Sequence, residues 1–136
     1  MLSKYVKKYM SGYEKEVYES LLNTLDNTKY CVFPQVCMQS IISEDFDKPF
    51  KARWYIVDFL ICRLPHYIPL MVVELDDKTH LRKDRKNRDL ELSKLIKELN
   101  LYSWHLYNYN GSIRDKYDLQ QQVEYFTGIY KLRKSP

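Results

Sequence analysis

Apolar residues recur along this chain with two different spacings, and the spacing separates helices from strands. Between residues 17 and 25 they fall at helical intervals, whereas residues 52–62 and 68–76 are nearly continuous apolar runs. Runs of β-branched, aliphatic and aromatic residues are typical of strands that are buried on both faces. The segment between the two runs contains Pro65 and Pro69, so we predict a helix and, further along, a β-hairpin.

Boundary signals complete the first half of the chain. Ser11 and Glu14 have the spacing of a capping box, which places the start of the first helix at Ser11. Residues 30–38 are predicted as a strand, and Pro34 indicates an edge strand or a bulge because proline removes a backbone donor. The turn-rich residues 43–51 are expected to form a loop before the hairpin.

The second half of the chain alternates between polar and periodic segments. A polar segment over residues 77–88 leads into a helix whose apolar face lies between residues 92 and 99. Residues 101–107 alternate as in a strand, and residues 116–130 have helical spacing. We therefore predict an α/β fold of order αβββαβα, in which helices flank a mixed central sheet. The chain of 136 residues suffices for one domain, residues 1–136, with a core over residues 11–107.

Acidic residues interrupt both apolar runs of the predicted hairpin. Asp58 lies in the second strand, and Glu74 and Asp76 lie in the third. A turn centred at His66 places Asp58 opposite Glu74, with their side chains about 5 Å apart. Asp76 shares a strand face with Glu74, because residues two apart point the same way. Carboxylates that converge in an apolar sheet require a bound cation, a raised pKa or a basic neighbour.

The charge distribution permits nucleic-acid binding without requiring it. The chain has 22 Lys and Arg against 18 Asp and Glu, a net charge of +4. The basic residues that follow the acidic third strand are Lys78, Arg82, Lys83, Arg85, Lys86 and Arg88. This basic cluster is interpreted either as a phosphate-binding surface or as a solvated face. Beside it, the acids suggest Mg²⁺ or Mn²⁺, which take oxygen ligands and commonly share them with substrate phosphates.

Cysteine usage and the lack of targeting patterns indicate the compartment. The three cysteines have neither the spacing of a small secreted domain nor that of a zinc site, so reduced thiols are expected. The first ten residues contain no apolar segment of a signal peptide. No run approaches the ~18 apolar residues of a membrane span. We therefore expect a cytoplasmic protein with no membrane partner.

The order of the elements and the positions of the acids resemble the PD-(D/E)XK nuclease superfamily. The chain is most similar to small nuclease-like domains related to the very-short-patch-repair endonucleases. The matching positions are Glu14, Phe33-Pro34-Gln35-Val36, Val57-Asp58-Phe59, residues 74–80 (ELDDKTH) and Arg88-Asp89. The resemblance covers residues 11–107 and implies a restriction-endonuclease-like αβββαβ core. It also implies an endonuclease that hydrolyses phosphodiester bonds with Mg²⁺ or Mn²⁺, with DNA favoured over RNA as substrate.

The resemblance implies roles for individual residues. Asp58 and Glu74 would be metal ligands, joined by Glu14 and by the backbone carbonyl of Leu75. In the superfamily's main motif a lysine stands next along the strand, whereas this chain has Asp76.

That departure leaves several roles open. Asp76 is then either a second-metal ligand or the group that orients His80. His80 is a candidate base or phosphate contact, and Lys78 or Lys94 would supply the missing ammonium.

The remaining candidates have alternative structural explanations. Gln35 is an accessory candidate or a surface residue of its strand. Asp89 either points toward the acids or interacts favourably with the N-terminal dipole of its helix. Glu14 is either a site acid or only a member of the capping box. The other histidines, His66 and His105, are interpreted as a loop residue and a strand residue.

Two other functions stay open. A domain of the same fold that has lost catalysis would bind nucleic acid or a protein partner. A structural accessory protein would use Asp58 and Glu74 only as ion-pair partners of Arg53 or Lys51. As a nuclease, a domain of this size is expected to depend on a second copy of itself, as a homodimer, or on a larger protein for specificity.

Overall fold

The computed structural model describes the backbone of residues 3–10, 12–76 and 83–107. The elements in this part of the chain are α1 (Gly12–Thr24), β1 (Tyr30–Cys37), β2 (Ile56–Arg63), β3 (Ile68–Asp76), α2 (Lys83–Glu98) and β4 (Tyr102–Tyr107). This order confirms the predicted succession of a helix, three strands, a helix and a strand. The cap at Ser11 and the helix predicted at residues 116–130 lie outside the described residues.

The four strands form one mixed sheet in the order β1-β2-β3-β4. The hairpin strands β2 and β3 are antiparallel, as are β1 and β2, whereas β4 runs parallel to β3 after the crossover through α2. Within the described sheet β1 is therefore an edge strand, as Pro34 predicted. Gln35, the next residue, has a φ of 57°, so the backbone of β1 is distorted just after the proline.

Each face of the sheet is covered by one helix. The cluster on the α1 side includes Val17, Leu21, Phe59, Ile61, Val73 and Trp104. The cluster on the α2 side includes Leu60, Cys62, Val72, Leu92, Leu95 and Ile96. Neighbouring residues of β2 therefore enter opposite clusters, which explains why this strand is a continuous apolar run rather than an alternating one. The three cysteines are free thiols, as their number and spacing predicted.

The strand predicted to start at residue 52 begins later. Residues Lys51–Trp54 form a short 3-10 helix, and β2 starts at Ile56. The cause is a set of contacts that organise the preceding loop: Arg53 donates to the carbonyls of Phe46 and Lys48 at 3.1 and 2.8 Å. Arg53 is thus engaged with this loop, which argues against its suggested role as the ion-pair partner of the acids.

Candidate functional site

The β2–β3 hairpin brings Asp58 and Glu74 together. Phe59 pairs with Val73, which is the register that the sequence predicts for the neighbouring acids. The two carboxyl side chains share a hydrogen bond. Asp58 Oδ2 also accepts the backbone N–H of Leu75 at 2.8 Å. The carboxyl group of Asp58 therefore bridges the two strands, and its orientation is fixed by β3.

Glu74 is the most deeply buried acid of this pair, with 4% of its surface exposed. Its Oε1 atom accepts no hydrogen bond from any residue that the structure describes. Burial raises the pKa of Glu74 to about 9, and the hydrogen bond and the charge of Asp58 act in the same direction. The positive charge of Arg88 opposes this shift without cancelling it. At neutral pH the carboxyl group of Glu74 therefore retains its proton.

Arg88 reaches this pair from α2. Its Nη1 lies 3.6 Å from Glu74 Oε1 and 3.8 Å from Asp89 Oδ1. Its Nη2 donates to the carbonyl of Ile56 at 2.9 Å. The guanidinium carbon lies 4.9 Å from the centroid of the Tyr55 ring. Arg88 is therefore the basic neighbour of the buried acids, rather than a member of a wholly solvated basic surface.

The position of Asp89 decides between its two interpretations. Helix α2 begins at Lys83, so Asp89 lies beyond the first turn. The N-terminal dipole acts mainly within that first turn, which excludes it as the reason for an acid here. The Oδ1 atom of Asp89 is buried, and Nη1 of Arg88 lies within 4.0 Å of both this atom and Glu74 Oε1. Asp89 thus borders the site through Arg88.

Helix α1 contributes Glu14 through an amide on β1. Gln35 Nε2 donates to Glu14 Oε2 at 2.5 Å. The pairs on either side of Gln35 in the β1–β2 ladder place it opposite Asp58. Among the described side chains, however, no group of three or more His, Cys, Asp or Glu residues is arranged to hold a metal ion. The structure therefore brings Asp58 and Glu74 together, and connects Glu14 to their neighbour Gln35 instead.

A comparison with protein-family models identifies the family of this chain. The model described as "Protein of unknown function (DUF2726)" matches residues 6–108. The chain belongs to the DUF2726 family. The matched region contains every element from α1 to β4 and thus the whole carboxyl pair with Arg88. Comparisons of this DUF2726 chain with curated proteins and with solved structures found no match.

The other predicted site residues of this DUF2726 chain are either exposed, described only by their backbone, or outside the described residues. Lys78, His80 and Arg82 lie outside the described residues, and the structure describes only the backbone of Asp76, Lys83 and Arg85. Lys86 is exposed on α2. Lys94 is also exposed, and its ammonium lies 3.9 Å from Glu91 Oε1. Lys94 therefore points to solvent rather than toward the carboxyl pair.

Two residues have positions that sequence reasoning missed. Arg88 precedes the buried Leu92 by four positions, so both residues lie on the helix face that packs on the sheet. Because Arg88 belongs to a run of basic residues, it was interpreted with that run and not as a neighbour of the acids. His105 pairs with Glu74 in the parallel register between β3 and β4. No local pattern indicates that pairing, because it depends on the crossover through α2.

In the part of the DUF2726 chain that the structure describes, neither helix has the length and apolar character needed to cross a membrane.

Proposed function

We propose that this DUF2726 protein is a divalent-metal-dependent nuclease of the restriction-endonuclease-like fold, which hydrolyses phosphodiester bonds of DNA. The observation that carries the proposal is the buried Glu74, with the half-buried Asp58 and Arg88 beside it. A carboxyl group buried in a sheet that is otherwise apolar costs free energy. A group with a pKa as strongly raised as that of Glu74 is typical of functional sites, where a ligand offsets that cost.

The donor set fits Mg²⁺ or Mn²⁺. Both are hard cations that prefer carboxylate, carbonyl and water oxygens. Glu74 Oε1 is buried and accepts no hydrogen bond from a described residue, so its lone pairs are open to a cation. Asp58 and Glu74 would hold the metal, and the carbonyl of Leu75 is the next oxygen along β3. When bound, the ion would polarise the phosphate and lower the pKa of a water molecule.

The protein's own groups supply orientation and binding. The backbone N–H of Leu75 fixes the carboxylate of Asp58 at 2.8 Å, which pre-organises one ligand. The hydrogen bond between Gln35 and Glu14 joins α1 to β1 beside Asp58. The exposed Lys86 and the basic residues around it would attract the polyanionic backbone from outside the site.

The direct test is cleavage of plasmid DNA, single-stranded DNA and RNA with Mg²⁺ or Mn²⁺. We expect Asp58→Asn and Glu74→Gln each to lower the rate by roughly 100-fold or more, because each removes a ligand charge. Asp47→Asn is the matched control, since Asp47 is an exposed loop acid, and it should cut at the wild-type rate. Lack of cleavage of all three nucleic acids with both metals would contradict the proposal.

One observation favours a second candidate, a binding module that does not cleave. No group of three or more metal-ligating side chains is present among the described residues. Such a module would bind DNA at low salt with a strong dependence on ionic strength. DNA binding that persists in Asp58→Asn, together with no cleavage by the wild type, would select this function.

A further inference from the structure

Arg88 is held in place by groups other than the carboxylates beside it. Its Nη2 donates to the carbonyl of Ile56 at 2.9 Å, and its guanidinium lies over the ring of Tyr55. Both residues belong to the segment that enters β2. A hydrogen bond and a cation–π contact together restrain the plane of the guanidinium. The position of this charge is therefore set by the start of β2 and does not depend on an ion pair with Glu74.

The restrained guanidinium keeps donors to spare. A guanidinium has five N–H donors. In the part of the chain that the structure describes, only the Ile56 carbonyl lies within hydrogen-bond distance of Arg88. Nη1 lies 3.6 Å from Glu74 Oε1 and 3.8 Å from Asp89 Oδ1, which is too far for a good hydrogen bond. Unused donors and an unused carboxylate oxygen thus face each other.

The charge of Arg88 is also poorly hydrated. Only 21% of its side chain is exposed, so its field is screened less than that of a surface lysine. By contrast, Lys86 and Lys94 on the same helix are exposed. Among the basic side chains that the structure describes, Arg88 is thus the one that borders the carboxyl pair.

We propose that Arg88 binds the scissile phosphate of the nucleic acid, supplying the positive charge that Asp76 does not supply on β3. This assignment rests on the proposed function. A guanidinium presents paired donors that match two phosphate oxygens, and such charge-assisted bonds are short and strong. Arg88 stabilises charge on the non-bridging oxygens without making or breaking a bond.

The test compares Arg88→Gln and Arg88→Lys with Lys97→Gln, an exposed control in the last turn of the same helix. Cleavage of a fluorescent DNA oligonucleotide is measured with Mn²⁺, and Mn²⁺ binding is measured by calorimetry. We expect Arg88→Gln to lower kcat by about 100-fold, as when one charge-stabilising donor is removed. Mn²⁺ binding should persist, and Lys97→Gln should leave kcat unchanged and change KM by at most about twofold. Arg88→Lys should recover part of kcat, because it keeps the charge but loses the fork.

Two outcomes overturn the assignment. One is a kcat of Arg88→Gln within threefold of the wild-type value. The other is an equal loss of kcat in Arg88→Gln and Lys97→Gln. Should Arg88→Gln fail to fold by circular dichroism, a folded Arg88→Lys with wild-type kcat overturns it as well.

Failure of the proposed function gives a separate result. If the wild type cleaves nothing, the affinity of each protein for the same oligonucleotide is measured by fluorescence anisotropy in the presence of Mn²⁺. Binding weakened about tenfold in Arg88→Gln, and at most about twofold in Lys97→Gln, then supports a phosphate contact without catalysis. Equal affinities of the two variants overturn the contact itself.

Discussion

The two halves of the β2–β3 hairpin differ in what they bury. Near the loop, Ile61 and Met71 face each other as apolar partners in the core. Three residues further on, the same strands place Asp58 and Glu74 side by side, with Glu74 almost as buried as its apolar neighbours. The first half stabilises the fold, whereas the second half costs free energy. The apolar half is thus accounted for by folding alone, whereas in the proposed function a bound cation offsets the cost of the acidic half.

The largest effect is expected from an apolar residue of the hairpin that lies next to the acids. Phe59 is 1% exposed and packs against Tyr18 of α1 with their ring centroids 6.1 Å apart. Phe59→Ala should lower the free energy of unfolding by about 3–5 kcal/mol, because it leaves a cavity between sheet and helix. Urea unfolding measures this loss. Phe33→Ala is the control, since Phe33 is 41% exposed. A similar loss in this variant would contradict the view that burial in the core determines the effect.

The acidic half should respond in the opposite direction. The pKa of Glu74 is raised from 4.5 to about 9, so the folded protein holds a proton that the unfolded chain releases between these values. The favourable contribution of Glu74 is therefore fully present below pH 4.5 and is lost as the pH rises through 9.

Glu74→Gln removes this dependence. The variant should be more stable than the wild type by up to about 4 kcal/mol at pH 8, with little difference at pH 5. Urea unfolding at the two pH values measures the change. Parallel pH profiles of the two proteins would show that burial of Glu74 carries no such cost.

A smaller effect is expected where β1 borders the acids. Gln35 has a φ of 57°, a conformation that glycine adopts without strain. Gln35→Gly and Gln35→Ala both lose the hydrogen bond to Glu14, but only the glycine variant relieves the backbone. Gln35→Gly should therefore be about 1 kcal/mol more stable than Gln35→Ala in thermal unfolding. Equal stabilities would mean that the strand changes shape in the variants.

The smallest effect is expected on the outer face of α2. Lys94 is exposed, and its contact with Glu91 is a surface ion pair. Lys94→Gln should change the free energy of unfolding by less than about 0.5 kcal/mol. In a cleavage assay it should leave kcat unchanged, in contrast to Arg88→Gln. A large loss of kcat would show that Lys94 approaches the phosphate in the complex.

Local sequence patterns predicted the strand bounds best where an apolar run is bordered by a clear turn signal. The third strand was predicted at residues 68–76, and β3 spans Ile68–Asp76, because a proline-containing loop precedes this apolar run. The start of β2 was predicted too early, because three of the four residues 52–55 are apolar or aromatic. The fourth, Arg53, anchors the preceding loop, and residues Lys51–Trp54 form a 3-10 helix instead. Hydrophobicity alone does not separate a strand from a short turn that packs against it.

The predicted register of the acids agrees with the structure because of a β-bulge that no sequence pattern indicates. Between Ile61 and Cys62 the ladder shifts, so that Pro69 and Met71 face consecutive residues of β2 and Leu70 is left over. This irregularity moves the centre of the hairpin by half a residue toward His66. Counting from the loop alone would not reveal such a bulge, since it arises from packing across the sheet.

The composition of the site was harder to predict than its centre. The carboxyl pair follows from one hairpin, which is a local unit. Arg88 and His105 reach Glu74 only after α2 has crossed over the sheet, so their positions depend on the tertiary fold. Long-range contacts of this kind leave no period in the sequence.

The backbone around Pro34 also affects how this protein can associate with others. An exposed sheet edge offers unpaired N–H and C=O groups on which another chain can add a strand. In β1 the proline removes one donor, and the left-handed residue after it bends the strand. These features blunt β1 as a template for edge-to-edge aggregation. A second copy of the protein would therefore associate through side-chain surfaces rather than by extending the sheet at β1.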